Sequence, residues 1–439
     1  MQALFDIGKT NKKFFIFDKN KQEVLKRYQH FEETIDDDGF PCDDLPAIAA
    51  WAKTLWAEVS NDEKYNIKSL EFMTYGASFV HLDEAGNPVT PLYNYLKPYP
   101  KALLKDFYKK YGSKKEIARA TASPASGMLN SGFQLYWLKY EKPDIFSKIR
   151  WSLHFPQYLS YLFTGKMVSE YTSIGCHTSL WDYEKNDYHD WVYAEKIDKI
   201  LPPIAAHERA IVGTGRDLSL RDTSVSTLAW TGRDLSLQTT FGIGIHDSSA
   251  TLVPYLSSND EPFLLISTGT WCVSLNPFSE QKLSAADLQH DCLHYMQTDG
   301  KTVRASRLFL GNEYALQIKK LNHFFEKKAG SENSIPYDNT FFAKAKKDKT
   351  RYFAFQSIPI LKKNKSQHTD YQCFENYEIA YHQLIFELVE QQVVSAKRAI
   401  GRNDKSRLVI SKIYIEGGFA DNVCFIHFLK KSFPKYQIY

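Results

Sequence analysis

Leu4-Phe5-Asp6-Ile7-Gly8-Lys9-Thr10-Asn11 opens the chain, and Leu264-Leu265-Ile266-Ser267-Thr268-Gly269-Thr270-Trp271 repeats its design about 260 residues later. Each is a short apolar strand that runs into a turn of glycine with hydroxyl or amide residues. Backbone N–H groups and hydroxyls in such a turn can hold phosphate oxygens. One turn of this kind is a weak signal. Two, one opening each half of the chain, point to a nucleotide clamped between two related domains.

Reading outward from the first turn, residues 4–7 and 13–18 form a hairpin, and residues 23–28 a third strand. Residues 46–58 have helical spacing, with Ile48, Trp51, Leu55 and Trp56 on one side. A further strand over 69–75 ends at Gly76 and Ala77, and residues 79–82 continue extended into a turn. This order of strands and helices is an α/β pattern, not a sandwich. Residues 100–200 read as mostly helical. The heptapeptide Thr-Gly-Arg-Asp-Leu-Ser-Leu occurs at 214–220 and again at 231–237; two copies are too few for a solenoid. A strand over 240–245 then leads into His246-Asp247-Ser248-Ser249. Residues 375–400 read as a long amphipathic helix with Ile379, Leu384, Leu388 and Val393 toward the core. A strand over 407–415 delivers Glu416-Gly417-Gly418. A boundary near residue 240 divides the chain into parts 1–240 and 241–439.

Composition narrows the function classes. At 439 residues the chain can bury two or three full cores. Lys and Arg number 55 against 51 Asp and Glu, an excess too small to argue for nucleic acid. The lysines at 362, 363 and 365 read as a solvated loop. No run of about 18 apolar residues suggests a membrane span. The first strand begins at Ala3, leaving no room for a signal peptide, so the expected location is the cytoplasm. The six cysteines include no C-x-x-C pair, which fits reduced thiols and excludes a zinc or disulfide framework.

Several residue types could carry chemistry. Asp6 is the single acid of the first strand and turn; it suits Mg²⁺ or an ordinary turn cap. Lys9, Thr10 and Asn11 add a cation, a hydroxyl and an amide beside it, without Walker A spacing. Asp247 follows a strand end, where a carboxylate can act as general base toward a hydroxyl or cap the helix that begins at Ser248-Ser249. Gly417 and Gly418 permit close approach to a flat base or simply make a turn. The aromatics Tyr93, Tyr95 and Trp271 are candidates for stacking on a sugar.

Taken together these segments resemble the FGGY family of carbohydrate kinases, within the actin-like ATPase superfamily, and most of all its rhamnulokinase branch. Asp6-Ile7-Gly8-Lys9-Thr10, Gly244-Ile245-His246-Asp247, Ser267-Thr268-Gly269-Thr270-Trp271 and Glu416-Gly417-Gly418 occur in the family's order. Thr74-Tyr75-Gly76-Ala77-Ser78 and the stretch from Leu162 through Glu170-Tyr171-Thr172 resemble further parts. The resemblance implies a two-domain α/β fold of the actin-like, ribonuclease H-like kind with an interdomain cleft. In it an N-terminal domain would bind sugar and a C-terminal domain nucleotide, and closure would exclude water. It implies ATP and Mg²⁺ as cofactors and phosphorylation of a ketose such as rhamnulose, fuculose or xylulose. By the same resemblance Asp247 would be the base and Asp6 would sit near Mg²⁺. Gly8, Lys9, Thr10, Asn11, Thr268, Gly269 and Thr270 would lie near the phosphates, and Gly417 and Gly418 beside adenosine. Gly76, Ala77, His246 and Asp247 would meet the sugar. The expected partner is a small sugar, with neither nucleic acid nor membrane, and the assembly is open between monomer and homodimer. A non-catalytic nucleotide- or sugar-binding relative is the alternative.

Three departures from the family stand out. Lys12 and Lys13 occupy the place of a common Arg, Tyr93-Asn94-Tyr95 that of an acid and an Arg, and Gln157 that of an Asp. The latter two bear on which sugar is bound. The chain also ends soon after Gly418, so a terminal helix is expected to be missing.

Overall fold

The computed structural model describes residues 1–205, 239–259, 261–348, 350–358, 368–401 and 409–439. Both copies of the repeated heptapeptide and the lysines at 362, 363 and 365 lie outside the described residues. The chain forms two compact units. The first is Met1–Ala250 with Tyr295–Lys301, and the second is Thr251–His294 with Thr302–Tyr439. The division falls beyond the expected boundary near residue 240, so His246 and Asp247 belong to the first unit.

The first unit is built on β1 (Gln2–Ile7), β2 (Lys12–Phe17) and β3 (Glu23–Gln29), an antiparallel meander. Helix α1 (Leu45–Ser60) crosses over to β4 (Ser69–Thr74), which lies parallel to β1. Helices α2 (Lys101–Tyr111), α3 (Ser131–Glu141) and α4 (Phe155–Thr164) follow. Two short strands, β5 (Thr240–Phe241) and β6 (Ile245–His246), then complete the sheet, both parallel to β4. The order is β5-β4-β1-β2-β3, with β6 also on β4.

Alternation in β1 turns Ala3, Phe5 and Ile7 inward. Asp44 caps α1, its side chain accepting from the Ala47 N–H at 2.9 Å, and Pro46 starts the helix. The buried stripe of α1 is Leu45, Ile48, Ala52, Leu55 and Val59. The expected Trp51 and Trp56 are half-buried at its edge, Trp51 meeting Phe5 edge-on at 5.4 Å. Each fully buried large apolar side chain stabilises by roughly 1.5–3 kcal/mol.

Residues 100–200 are less uniformly helical than the apolar spacing predicts. Phe79–Leu82 pairs with Trp151–His154, and Trp181–Asp182 with Asp187–Tyr188, as two-stranded ribbons around a second core of Phe107, Phe133, Trp137 and Trp191. The pairing of Phe79–Leu82 with Trp151–His154, far apart in the chain, is a tertiary choice that helical spacing does not reveal.

The second unit repeats the first unit's sheet. Its strands are β7 (Phe263–Thr268), β8 (Cys272–Asn276), β9 (Cys292–Met296, whose last two residues are grouped with the first unit) and β10 (Thr302–Leu308). After helices α5 (Leu310–Phe324) and α6 (Tyr377–Ile400) come β11 (Lys412–Gly417), helix α7 (Val423–Ser432) and β12 (Gln437–Ile438). The order is β9-β10-β8-β7-β11-β12. As in the first unit, a central strand has an antiparallel hairpin on one side (β8 then β10) and a parallel crossover strand on the other. This is the ribonuclease H-like arrangement, present twice.

Two elements depart from the sequence reading. Residues 407 and 408 of the expected strand lie outside the described residues, and β11 begins at Lys412, after residues 409–411, where its partner β7 begins opposite at Phe263. Helix α6 is buried on nearly every side: Tyr381, Leu384, Ile385, Phe386, Leu388 and Val389 are all enclosed, while Ile379 and Val393 only border the core. A helix packed on all sides is not amphipathic.

Candidate active site

In the first unit the register sets Ile7 of β1, Thr74 of β4 and His246 of β6 at one level of three parallel strands. Open α/β sheets take ligands at the carboxyl ends of their strands. The Gly8–Asn11 turn leaves β1 there, Tyr75-Gly76-Ala77 leaves β4, and Asp247 follows β6. Asp6, Gly8, Lys9, Thr10, Asn11, Gly76, Ala77, His246 and Asp247 thus gather at one edge of one sheet.

Asp247 is the first residue of a short helix, Asp247–Ala250, and its Oδ1 accepts from the Ser248 N–H at 2.6 Å and the Ser248 hydroxyl at 3.2 Å. His246 Nε2 lies 3.2 Å from the same oxygen and 3.2 Å from Cys176 Sγ. About a third of the Asp247 side chain (34%) is open to solvent. Burial of the carboxyl among protein atoms, with the Asp6 carboxylate adding to it, pushes its pKa up to about 7 despite the Ser248 bonds and the Lys13 charge. Gly76 packs directly on the histidine: a Cβ there would sit 2.9 Å from the His246 ring and 3.1 Å from Cys176 Sγ. The Ala77 carbonyl accepts from Gln134 Nε2 at 2.7 Å.

The expected strand over 240–245 is broken at Gly242–Gly244 and braced from both sides. Gln157 Nε2 donates to Gly244 O at 2.6 Å, and the Gly244 N–H donates to Glu71 Oε1 at 3.0 Å. Gly244 has φ +79°, and a Cβ there would meet Pro156 O at 2.3 Å, so glycine is required. The His246 N–H donates to Thr172 Oγ1 at 2.9 Å, and that hydroxyl is itself tied to the buried Glu170 at 2.8 Å.

The phosphate-type turn holds a surprise. Lys9 Nζ donates to Asp43 at 2.7 Å and to Glu33 at 2.8 Å. Lys12, 2% exposed, donates to Asp43 at 2.7 Å and to the Lys9 carbonyl at 2.9 Å. Lys13 Nζ pairs with Asp6 at 3.1 Å. Of the candidate stacking aromatics, Tyr93 is buried against Trp137 and is not a surface for sugar. Tyr95 is half-buried, within electrostatic reach of Lys9 and Asp247. The Trp271 ring lies against Phe309 at 4.6 Å with the Arg307 guanidinium over it.

In the second unit the same geometry recurs. Thr268, the last residue of β7, pairs with Gly417, the last of β11. Gly417 has φ +81° and a Cβ there would lie 1.8 Å from Thr268 O. A cavity of about 640 Å³ opens above these ends, lined by Thr268, Gly269, Thr270, Gly418, Phe419 and Asp421 among others. The start of α5 borders it: a Cβ on Gly311 would sit 1.9 Å from Gly269 O. Gly418 has nothing within 4 Å of its missing Cβ, so that backbone is open to a ligand.

The N-terminal domain model of the FGGY family of carbohydrate kinases matches residues 1–214, and the FGGY C-terminal domain model matches residues 260–337. The chain belongs to the FGGY family of carbohydrate kinases. A rhamnulokinase of Halalkalibacterium halodurans is 28% identical over 184 residues, 40% of this chain and 39% of that protein. A rhamnulokinase of Oceanobacillus iheyensis is 30% identical over 129 residues, 28% of this chain and 27% of that protein. The matched stretches therefore span well under half the length of these curated relatives. Among solved structures, a carbohydrate kinase from Novosphingobium aromaticivorans superposes with TM-score 0.75 at 21% identity, covering 100% of this chain and 88% of that one. A ligand-bound xylulose kinase from Lactobacillus acidophilus gives TM-score 0.73 at 15% identity, covering 100% of this chain and 85% of that one. At these identities the likeness is one of fold.

The FGGY chain's residues fit ATP and Mg²⁺. The second unit's cavity lies within the range of about 300–1,000 Å³ usual for small-molecule sites, and glycine backbone with threonine hydroxyls suits phosphate. Asp6 and Asp247 offer hard carboxylate oxygens of the kind Mg²⁺ takes. Sequence reading missed Gly311, Asn312, Glu332 and Tyr381 of the cavity wall. A signal for the first two was present, since Leu310-Gly311-Asn312 is a strand-to-helix turn after β10. It also missed Asp43 and Cys176, which reach the site from distant loops.

Proposed function

We propose that this chain is an ATP-dependent, cytoplasmic sugar kinase that transfers the γ-phosphoryl group to a hydroxyl of a small ketose such as rhamnulose, fuculose or xylulose. The observation that supports it most is Asp247: a partly open carboxylate with a pKa of about 7, at a strand end level with the turns after β1 and β4. A base poised near neutral pH suits removal of a hydroxyl proton. Asp247 accepts that proton as the sugar oxygen bonds to phosphorus, while the bond from phosphorus to the bridging oxygen breaks and ADP leaves. Gly76 and His246 hold the sugar against the base, and Thr268, Gly269 and Thr270 hold the phosphates. When bound, Mg²⁺ supplies charge neutralisation on the phosphates.

A coupled assay of ADP release across ketoses and polyols, with and without Mg²⁺, tests the reading. Sugar- and Mg²⁺-dependent release is expected, and Asp247→Asn should lower kcat by about 100-fold or more with sugar binding largely kept. Near-normal turnover in Asp247→Asn would remove the base assignment. Nucleotide binding without ADP release on any sugar would favour the non-catalytic alternative.

A further inference from the structure

Lys9 belongs to the turn proposed to lie near the phosphates, yet its ammonium is held by carboxylates of the same unit. The central one is Asp43, in the loop before α1. Its side chain is 5% exposed. It accepts three charged or polar donors: Lys9 Nζ, Lys12 Nζ and the Tyr75 hydroxyl, each at 2.7 Å. Lys9 is the second residue of the Gly8–Asn11 turn, and Lys12, directly after it, is the first residue of β2. Tyr75, 8% exposed, precedes Gly76 and Ala77 of the sugar-side turn, and its ring also lies 5.9 Å from Lys9 Nζ. The backbone link between the turns ends one residue past the β1–β4 pairing, where the Tyr75 N–H donates to Ile7 O at 3.1 Å; Asp43 adds a side-chain link beyond it.

We infer that Asp43 is a positioning residue that couples the two turns, so that sugar binding at Gly76 and nucleotide binding at Gly8–Asn11 reinforce each other. The inference rests on the kinase reading above and deepens it. Removing the Asp43 charge leaves Lys12 buried without its counter-ion, leaves Lys9 paired with Glu33 instead of with both acids, and takes the anionic acceptor from the Tyr75 hydroxyl. Removing only the Tyr75 hydroxyl leaves both lysine pairs in place and cuts the link to the sugar turn. The two variants therefore separate loss of coupling from general loss of charge balance.

The test measures the dissociation constant of Mg²⁺·AMP-PNP by calorimetry, without sugar and with the ketose that the panel shows to be phosphorylated. For the unaltered chain the sugar should tighten nucleotide binding at least about fivefold, the lower end of ordinary coupling between two sites. In both Asp43→Asn and Tyr75→Phe the factor should fall to about one. Their KM values for sugar and ATP should rise, while kcat falls far less than in Asp247→Asn. Should Asp43→Asn fail to fold, Tyr75→Phe carries the test alone. A coupling factor that survives in Tyr75→Phe, or is absent from the unaltered chain, overturns the inference while leaving the kinase reading standing. Absence of phosphorylation on every sugar overturns both.

Discussion

The carboxyl of Asp247 balances neighbours of opposite sign. Burial and Asp6 raise its pKa to about 7, while Lys13, itself paired with Asp6 at 3.1 Å, pulls it down. A base must be ionised to accept a proton, so kcat/KM for the sugar should fall tenfold per pH unit below about 7 and level off above it. Replacing Lys13 removes a cation from that balance. Lys13→Met should therefore move the acidic limb to higher pH, measured as the midpoint of the kcat/KM profile between pH 5 and 9. A limb that stays in place or moves down would show that Lys13 does not act on Asp247. That Gly76, His246 and Asp247 lie at strand ends could be read from the sequence, because each falls at the end of an apolar run or within two residues of it. Asp43 could not: it meets Lys9 from 34 residues away, and no spacing rule links a loop carboxylate to a glycine turn.

Among the elements, short segments decide whether these residues arrive in place. The stretch from β5 to β6 reads as one strand, but Gly242 and Gly244 split it, and Gln157, Glu71 and Ser160 hold the bend. Side-chain bracing of this kind comes from other helices and strands, so periodicity within the segment does not show it. Gly244→Ala would force a positive φ on alanine and press its Cβ on Pro156 O. A loss of about 1–3 kcal/mol is expected from such backbone strain, with kcat lowered more than the melting temperature alone explains. Unchanged melting and turnover would mean the bend does not position Asp247. Farther off, Glu195 (2% exposed) ties α2 to α3 by accepting from Lys110, Lys139, Tyr111 and Tyr140. Burial would raise its pKa, but these bonds outweigh it and hold the carboxyl down to about 2. The folded value lies below the unfolded one, so the stabilisation is complete above about pH 4.3 and drains away as pH falls toward 2. Glu195→Gln should cost about 3 kcal/mol at pH 7, as when one partner of a buried charge cluster is removed. Because the site is elsewhere, KM should not change. Denaturant melts at pH 7 and pH 3 check both the size and the sign.

On the scale of the whole molecule, the two matching glycine turns foretold the duplicated sheet, since each ends a central strand of its unit. The dividing point was harder to read. β5 and β6 come late in the chain, yet they pair with β4 and finish the first sheet. Parallel pairing between segments so far apart is set by tertiary packing, and a strand there reads equally well as the start of a second domain. With a separate core in each unit, global opening should occur unit by unit and not as one two-state step. The cavity assigned to the nucleotide is lined wholly by residues of the second unit. A ligand that binds only the folded form adds about 2.7 kcal/mol at a hundred times its Kd, which slows exchange from the globally open state about a hundredfold. Saturating Mg²⁺·AMP-PNP without sugar should therefore slow amide exchange by that factor in β7, β11 and α6. The core amides of α1 and α3 should exchange as before. Equal slowing in both cores would show that the units open together, and slowing confined to α1 and α3 would move the nucleotide site to the first unit.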